Sequence, residues 1–299
     1  QTKEALLNLK NDGAKKIILD LRDNPGGLLT EAINVTNLFI PKGELVVTTK
    51  SKVKKFNREY KTTNQPIDTE IPLVVLVNGR SASASEIVSG SLQDLDRAVI
   101  VGARSFGKGL VQRPLKLTYG TQLKVTISRY YTASGRCIQS LDYWNRDENG
   151  NAVKNTQFRD FKTKNGRKVQ DGGGVLPDIE IAAAKTNTLT QALLSGNVIF
   201  DYATDFYYNN TVENVLDFSY KDNDFASFKN YVSKSNFNFE TKAEKALKEA
   251  MSGEDSTIFG NDVTDQYKGL YDYHLQNDEA IMTATVLLND NSKYMNILK

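Results

Sequence analysis

Ser83 and Lys108 are the two residues of this sequence whose types and surroundings best suit covalent chemistry. Ser83 follows the apolar run Leu73–Val77 and the turn-forming segment 78–80, so it lies where a strand ends and a helix begins. A serine hydroxyl there can attack a carbonyl carbon while the N–H groups of the helix N-terminus stabilise the developing negative charge. Lys108 follows Phe106 and lies between two glycines. A lysine amine shielded from water can be neutral near pH 7 and accept the serine proton.

A structural role for the same serine is equally compatible with its local sequence. Ser83-x-x-Glu86 is a capping box, and serines at helix starts commonly cap the helix. Ser81 and Ser85 are rival candidates for a nucleophile, and the spacing alone does not separate the three serines.

The identity of the base depends on which proton acceptors the chain offers. Its single histidine, His274, lies far away in a polar C-terminal segment, which disfavours a Ser-His-Asp triad. Lys108 is the alternative base, and Gln112 is placed four residues further on. An amide at that position could hold the lysine amine in one rotamer without adding charge. Without such roles, the two residues would be a solvated loop lysine and an ordinary surface glutamine.

Four ordered sequence blocks, one of which has two parts, resemble the carboxyl-terminal processing peptidases, also called tail-specific proteases, of serine peptidase family S41. The best of them is NGRSASASEIVSG at residues 78–90, which is followed by SFGKGLVQ at residues 105–112. The others are ILDLRDNPGGLLTEAI at Ile18–Ile33, YYTASGRCIQ at Tyr130–Gln139 and GGVLPDIEI at Gly173–Ile181. The blocks are distributed over residues 15–181.

This resemblance implies a role for each residue at the candidate site. Ser83 would be the nucleophile, Lys108 the general base, and Gln112 the residue that orients the lysine. The oxyanion hole would be formed by the backbone N–H groups of Ala84 and of one glycine of the Pro-Gly-Gly loop. That glycine is Gly26 or Gly27, and the sequence does not decide between them.

Asp94 occupies a position at which an acidic residue matters for activity in some members of the family. It lies three helical turns beyond Ser83, or about 16 Å at 1.5 Å per residue, which is too far for direct contact. We therefore predict that Asp94 pairs with Arg97 or supports the fold.

The fold implied by the resemblance is an α/β peptidase core of the ClpP/crotonase type with an α-helical C-terminal domain. The core would span residues 1–184, with an exposed insertion near 141–170, and the helical domain would span 185–299. Two strand–loop–helix units near the start of the chain independently indicate a parallel βα arrangement. In the helical domain, the sequence pattern predicts helices over Leu189–Tyr208, Phe225–Ser233, Thr241–Met251 and Val263–Asn289.

Two further segments are interpreted as an antiparallel sheet. The lysine-rich segment Glu44–Phe56 alternates in the manner of an edge strand or a hairpin arm, with lysines that block edge pairing. Asn57–Pro72 is interpreted as a polar connection. Leu115–Tyr119 and Leu123–Tyr130 are predicted to form a hairpin about Gly120.

Composition restricts the class of protein. The 299 residues carry a net charge of +2 and contain 39% hydrophobic and 25% charged residues, which is typical of a globular protein without a nucleic-acid or anionic-membrane partner. Cys137 is the single cysteine, so an internal disulfide and a cysteine-based metal cluster are excluded, and packing is its expected role. No apolar run reaches the length of a membrane-spanning helix. The resemblance requires no metal and no cofactor.

Two rival functions remain open. Gly102–Lys108 fits most of the phosphate-binding pattern G-x-x-x-x-G-K, but Gly109 stands where a serine or threonine should bind magnesium. The following segment also looks extended rather than helical, and Pro114 disfavours an early helix. The other rival is a catalytically silent relative that binds peptides. The presence of Ser83, Lys108 and Gln112 argues against it.

The resemblance also implies the biological setting. Full-length members carry a PDZ domain that binds the free C-terminus of the substrate, and residues 1–20 cannot contain one, so we interpret the chain as an excised fragment. Its substrates would be proteins or peptides selected by their C-terminal tails. The parent protein would work in the bacterial envelope, in the periplasm or another extracytoplasmic location, and could form homo-oligomers.

Overall fold

The computed structural model describes residues 1–182, 188–210, 222–235 and 278–299 and contains two compact units. The first unit comprises residues 1–183 together with 283–299, and the second comprises residues 184–282. The described helices are α1 (Thr2–Asn11), α2 (Leu29–Asn37), α3 (Ala84–Asp94), α4 (Thr188–Ser195), α5 (Val198–Asn209), α6 (Asp222–Lys234), α7 (Glu279–Asn289) and α8 (Asn291–Ile297).

The described strands belong to two four-stranded sheets and two short ribbons. They are β1 (Ile17–Asp20), β2 (Leu45–Lys50), β3 (Arg58–Lys61), β4 (Leu73–Val77), β5 (Val99–Gly102), β6 (Leu110–Lys116), β7 (Gln122–Thr132), β8 (Leu141–Arg146), β9 (Ala152–Lys154), β10 (Asp160–Lys162), β11 (Lys168–Gln170) and β12 (Ile179–Glu180).

The first sheet is parallel throughout and has the strand order β1-β4-β5-β12. Every residue of β4 and β5 is buried, as expected of central strands that are covered on both faces. Helix α2 follows β1 and helix α3 follows β4, so the predicted α/β core with parallel βα units is confirmed. This sheet positions the candidate site.

The second sheet is antiparallel and has the order β3-β2-β7-β6. The predicted hairpin about Gly120 is confirmed by the pairing of β6 with β7. Strand β2 is a hairpin arm as predicted, but it is not an edge strand, because β3 covers the edge that its lysines were expected to block. The segment predicted as a polar connection therefore contains a strand, Arg58–Lys61. Three of its four residues are charged, so the sequence shows no apolar pattern that would indicate a strand.

Residues 141–170 contain short strands that the sequence analysis did not predict. Strand β8 pairs with β9, and β10 pairs with β11, both in antiparallel fashion. Three of these four strands have only three residues each, which is too short for a periodic pattern to be recognised.

The helices of the second unit pack around aromatic and aliphatic side chains. The predicted helix over Leu189–Tyr208 is two helices, α4 and α5, because Asn197 between them adopts a left-handed conformation with φ 57°. Their buried cluster also includes residues of α6 and comprises Leu193, Val198, Ile199, Tyr202, Phe228 and Val232. The predicted helix over Thr241–Met251, and most of that over Val263–Asn289, lie outside the described residues.

The C-terminal segment of the chain belongs to the first unit, whereas the sequence analysis assigned it to the helical domain. The hydroxyl of Tyr294, on α8, accepts a hydrogen bond from the Leu73 N–H at 3.0 Å and donates one to the Leu73 carbonyl at 3.1 Å. A contact between residues so distant in sequence is not visible in a local pattern. Among the described residues, no helix combines the length and apolar character needed to cross a membrane.

Candidate active site

Three loops meet at one edge of the parallel sheet, where β1, β4 and β5 end. The loop after β1 carries Gly26 and Gly27, the turn after β4 carries Ser83, and the loop after β5 carries Lys108. The three strands are neighbours in the order β1-β4-β5. Since the carboxyl ends of parallel strands lie at the same edge, the topology brings these loops together, and ligands of open α/β sheets bind at this edge.

Ser83 lies on a strained turn between β4 and α3. Its backbone angles are φ 57° and ψ −111°, a conformation that costs a residue other than glycine about 1–3 kcal/mol. It forms the predicted capping box with Glu86, whose carboxylate accepts a hydrogen bond from the Ser83 N–H at 2.8 Å. From residue 81 to residue 94, Ser83 is the one residue that is not buried. The turn therefore leaves its side chain accessible.

The two rival serines have structural partners. The Ser81 hydroxyl donates to the Leu21 carbonyl at 2.7 Å and accepts from the Asn78 N–H at 2.9 Å. The Ser85 hydroxyl donates to the Asn24 carbonyl at 3.1 Å. Both serines are buried, and these bonds connect the turn to the loop after β1.

The glycine loop contacts the serine turn closely. Gly26 has φ +95°, and a Cβ atom added to it would lie 2.5 Å from the Ala82 carbonyl oxygen and 2.6 Å from the Ala84 nitrogen. The Gly26 N–H donates to the Asn24 side chain at 2.9 Å. Within the described part of the chain, the N–H groups of Gly27 and Ala84 have no hydrogen-bond partner. These two N–H groups therefore remain available to a ligand.

Glu86 is a buried carboxylate that connects the serine turn to the lysine loop. Besides the Ser83 N–H, it accepts the Ser105 hydroxyl at 2.6 Å, the Gly107 N–H at 2.6 Å and the Lys108 N–H at 2.8 Å. Burial raises the pKa of the Glu86 carboxyl above its ordinary value, although these four donors act in the opposite direction. In the sequence, Glu86 is recognisable only as part of a capping box, because its other donors come from a distant loop.

Tyr130, on β7, makes a second connection between the same two segments. Its hydroxyl lies 2.7 Å from the Lys108 carbonyl oxygen and 3.1 Å from the Ser83 carbonyl oxygen. Tyr130 begins one of the motif blocks, but the sequence alone predicts no role for it. Because Tyr130 and Tyr131 are adjacent and identical in type, the sequence does not indicate which of them faces the site.

The lysine loop itself is held from both sides. Lys108 is half-buried, and the neighbouring Gly109 donates its N–H to the Gln139 side chain at 2.8 Å. Gln112 lies exposed on β6, and the structure shows no hydrogen bond between it and Lys108. The loops thus bring Ser83, Ala84, Gly26, Gly27 and Lys108 to one edge, while Gln112 lies on a strand that leads away from it.

Asp94 has a structural partner that differs from the predicted one. Its side chain is fully buried, forms an ion pair with Arg136 at 2.9 Å and accepts the Ser134 N–H at 2.9 Å. The predicted pairing with Arg97 is wrong, because that guanidinium instead donates to the carbonyls of Phe39 and Ile71. Asp94 therefore supports the fold, as the alternative prediction stated.

Other chemistries find less support at this edge. The segment after Gly102–Lys108 is strand β6, as predicted, so no helix N-terminus follows the loop to receive a phosphate. Cys137 is half-buried and free, and burial raises the pKa of its thiol. Within the described ranges, no group of three or more His, Cys, Asp or Glu side chains could hold a metal ion.

The fold and the site together are those of an α/β protein with an accessible serine and a half-buried lysine. The two residues lie on adjoining loops at one edge of the parallel sheet. Residues 1–143 match the description "Peptidase family S41", and residues 189–271 match "Probable PDZ-protease, C-terminal helical domain". Through residues 1–143, the chain is similar to peptidase family S41. The predicted resemblance to this family and the predicted helical C-terminal region are therefore confirmed.

Individual relatives match a similar length of the chain. The carboxy-terminal-processing protease of Bartonella bacilliformis is 46% identical over 139 residues, which are 46% of this chain and 32% of that protein. A probable CtpA-like serine protease of Staphylococcus aureus is 41% identical over 140 residues, 46% of this chain and 28% of that protein. The chain thus spans less than a third of the length of these relatives.

A solved structure of a photosystem II D1 C-terminal processing protease is 30% identical, with a TM-score of 0.45. The match covers 62% of this chain and 40% of that chain.

Proposed function

We propose that this chain is the catalytic part of a serine endopeptidase that uses Ser83 and Lys108 as a dyad. The observation that carries the proposal is the set of bonds that joins the two residues: Glu86 accepts both of their N–H groups, and Tyr130 lies against both of their carbonyls. The accessible, strained position of Ser83 supports its role as nucleophile, because neither rival serine has a free hydroxyl on that surface.

The reaction follows from these assignments. The Ser83 Oγ attacks the carbonyl carbon of a peptide bond while the Nζ of Lys108 takes the hydroxyl proton. The tetrahedral intermediate collapses with cleavage of the C–N bond, and Lys108 returns the proton to the departing amine. A water molecule then gives a proton to Lys108 and attacks the carbonyl carbon of the Ser83 ester. As the ester C–O bond breaks and the acid departs, Lys108 returns that proton to the Ser83 Oγ and the serine is restored. Gln112 would orient Lys108 once its side chain turns from the strand surface towards the amine.

The oxyanion would be held by the N–H groups of Ala84 and Gly27. We assign Gly27 rather than Gly26 to this role because the Gly26 N–H already donates to Asn24. Gly26 has no Cβ atom, and its role is to allow the loop to approach the Ala84 nitrogen closely. Two such donors contribute several kcal/mol to catalysis, and removal of one costs about 10²- to 10³-fold in kcat.

A pair of glycine substitutions, both of which keep the backbone N–H, tests the close approach of this loop to the serine turn. Gly26→Ala is expected to lower kcat/KM by about 100-fold and to destabilise the protein, because the new methyl group would overlap the Ala84 nitrogen at a left-handed backbone position. Gly27→Ala is the matched control, since a Cβ atom there meets nothing within 4 Å. Kinetic assays and thermal unfolding of both variants give the comparison. Equal activities of the two variants would contradict the close approach.

The raised pKa of Glu86 predicts a separation of activity from stability in acid. As pH falls through this pKa, above the ordinary value of 4.5, Glu86 binds a proton and can no longer accept all four donors, so activity should decrease. The folded state binds this proton more tightly than the unfolded state. The stabilisation that comes from protonated Glu86 is therefore fully present below the pKa that Glu86 has in the unfolded state. It is lost as pH rises through the pKa that Glu86 has in the folded state.

The measurement is a pH series of kcat alongside the free energy of unfolding, with Glu86→Gln as the variant that cannot titrate. We expect the acid loss of activity to be reversible and to occur while the protein remains folded. A loss of activity that coincides with unfolding in the same pH range would contradict this role of Glu86.

The substrate class is inferred from the relatives, which are named for processing carboxyl termini. We propose protein substrates selected by their C-terminal tails and cleaved in the bacterial envelope, with homo-oligomers as a further expectation. The test compares an unfolded protein bearing a free, apolar C-terminus with the same protein bearing an amidated one, with products identified by mass spectrometry. Faster cleavage of the free form is expected. Binding without cleavage would favour a catalytically silent relative, and ATP binding with a magnesium requirement would favour the phosphate-loop alternative.

A further inference from the structure

Among the tyrosines that the structure describes, Tyr130 is the one whose side chain reaches both members of the proposed dyad. It lies on β7 next to β2, opposite Thr49, and only 1% of its surface is exposed. Its backbone N–H donates to the Gly109 carbonyl at 3.0 Å, directly after Lys108. Both its backbone and its side chain therefore hold the lysine loop.

The hydroxyl of Tyr130 has one proton and two acceptors. The Lys108 carbonyl oxygen is the nearer at 2.7 Å, and the Ser83 carbonyl oxygen lies at 3.1 Å, so the proton is shared between them. Burial, with a contribution from the Glu86 charge, raises the pKa of Tyr130 well above its ordinary value. The hydroxyl therefore stays protonated and remains a donor at any pH at which the protein works.

Glu86 and Tyr130 act on opposite ends of the same two residues. One oxygen of Glu86 accepts the N–H groups of Ser83 and Lys108, each at 2.8 Å. Tyr130 donates to the carbonyls of the same two residues. The backbones of both are thus held at the nitrogen and at the carbonyl oxygen by shared partners.

The carbonyl contact matters most at Ser83, whose φ of 57° and ψ of −111° are unfavourable for a residue with a side chain. A donor on the Ser83 carbonyl opposes rotation of this peptide group towards a relaxed conformation. Such a rotation would change the direction of the Ser83 side chain and of the adjoining Ala84 N–H.

We propose that Tyr130 is a positioning residue that fixes the relative placement of Ser83 and Lys108 through their carbonyl groups. The inference rests on the proposed dyad. Tyr130 bonds the backbone carbonyls of the two residues and would act through them rather than on the reacting atoms. Its loss should therefore lower the rate of the chemical step and leave substrate binding nearly unchanged.

The test is Tyr130→Phe, which removes the hydroxyl and keeps the ring. Small misplacements of catalytic groups can cost on the order of 100-fold in rate, so we expect kcat to fall by about 10- to 100-fold with KM changed less than about twofold. The pH at half-maximal activity should also shift, because the distance between base and nucleophile changes. Titration of active sites with a serine-reactive probe normalises kcat to folded enzyme.

Tyr131→Phe is the matched control. Tyr131 follows on the same strand and is half-buried, and within the described part of the chain its hydroxyl has no hydrogen bond. We expect its removal to leave kcat, KM and the pH profile unchanged. If Tyr130→Phe keeps the wild-type kcat and pH profile per titrated site, the positioning role is wrong. A full loss of titratable sites through unfolding would likewise assign Tyr130 a structural role only.

The outcome separates this inference from the proposed function. If Ser83→Ala is inactive and Tyr130→Phe is fully active, only the positioning role fails. If Ser83→Ala remains active, the proposed dyad fails as well.

Discussion

Ser83→Ala is expected to abolish peptide cleavage, with kcat reduced by about 10⁴-fold or more. The substitution removes the atom that forms the acyl-enzyme, so only substrate binding and the oxyanion hole could still assist the attack of water. The folded structure should change little, because Ser83 is the accessible serine of its turn. The comparison requires kcat from single preparations of wild type and variant, with thermal unfolding to verify that both are folded.

Ser85→Ala provides the control for this substitution. Ser85 lies two residues further along on the same helix, and its hydroxyl donates to the Asn24 carbonyl. Its loss should cost about 1 kcal/mol of stability and leave kcat per folded molecule nearly unchanged. A Ser83→Ala variant that retains one per cent of the wild-type activity, or a Ser85→Ala variant that is inactive while folded, would contradict the assignment of the nucleophile.

Lys108→Arg is expected to reduce kcat by about 10³-fold or more, nearly as much as Lys108→Ala. Arginine keeps the positive charge and much of the length of lysine, but it does not give up its proton in proteins and so cannot serve as a base. The comparison separates proton transfer from the mere presence of a cation near Ser83. Steady-state kinetics over a range of pH give the measurement.

Lys116→Arg is the matched control, since Lys116 lies exposed on β6, the strand that follows the lysine loop. It should keep wild-type activity at every pH. Near-normal turnover by Lys108→Arg would show that the residue acts through its charge, and the dyad would then have to be abandoned.

The elements that were predicted best from the sequence are those whose residues are all apolar and all buried. Strand β4 is apolar throughout and is buried throughout, and the turn with Ser83 follows it as predicted. The motif blocks also indicated the loops that carry Lys108, Gly26 and Gly27. The order of the parallel strands places these loops at one edge of the sheet.

Long-range partners could not be predicted in the same way. The pairing of Asp94 with Arg136 depends on how α3 packs against the segment after β7, whereas Arg97 was simply near in sequence. The role of Glu86 as an acceptor for a distant loop was hidden by its local role as a helix cap.

Strand register decides which side chains reach the site. Tyr130 and Tyr131 are identical in type, and only the pairing of β7 with β2 makes one buried and the other half-exposed. Gln112 lies just beyond an irregularity in the pairing of β6 with β7, which the spacing of the motif cannot reveal.

The most direct test of the dyad is to label the protein with a serine-reactive phosphonate and to locate the adduct by mass spectrometry. We expect one adduct, on Ser83, at a rate that falls sharply in Lys108→Arg and is unchanged in Lys116→Arg. An adduct on Ser81 or Ser85, or labelling of Ser83 at the same rate after Lys108 has been replaced, would contradict it.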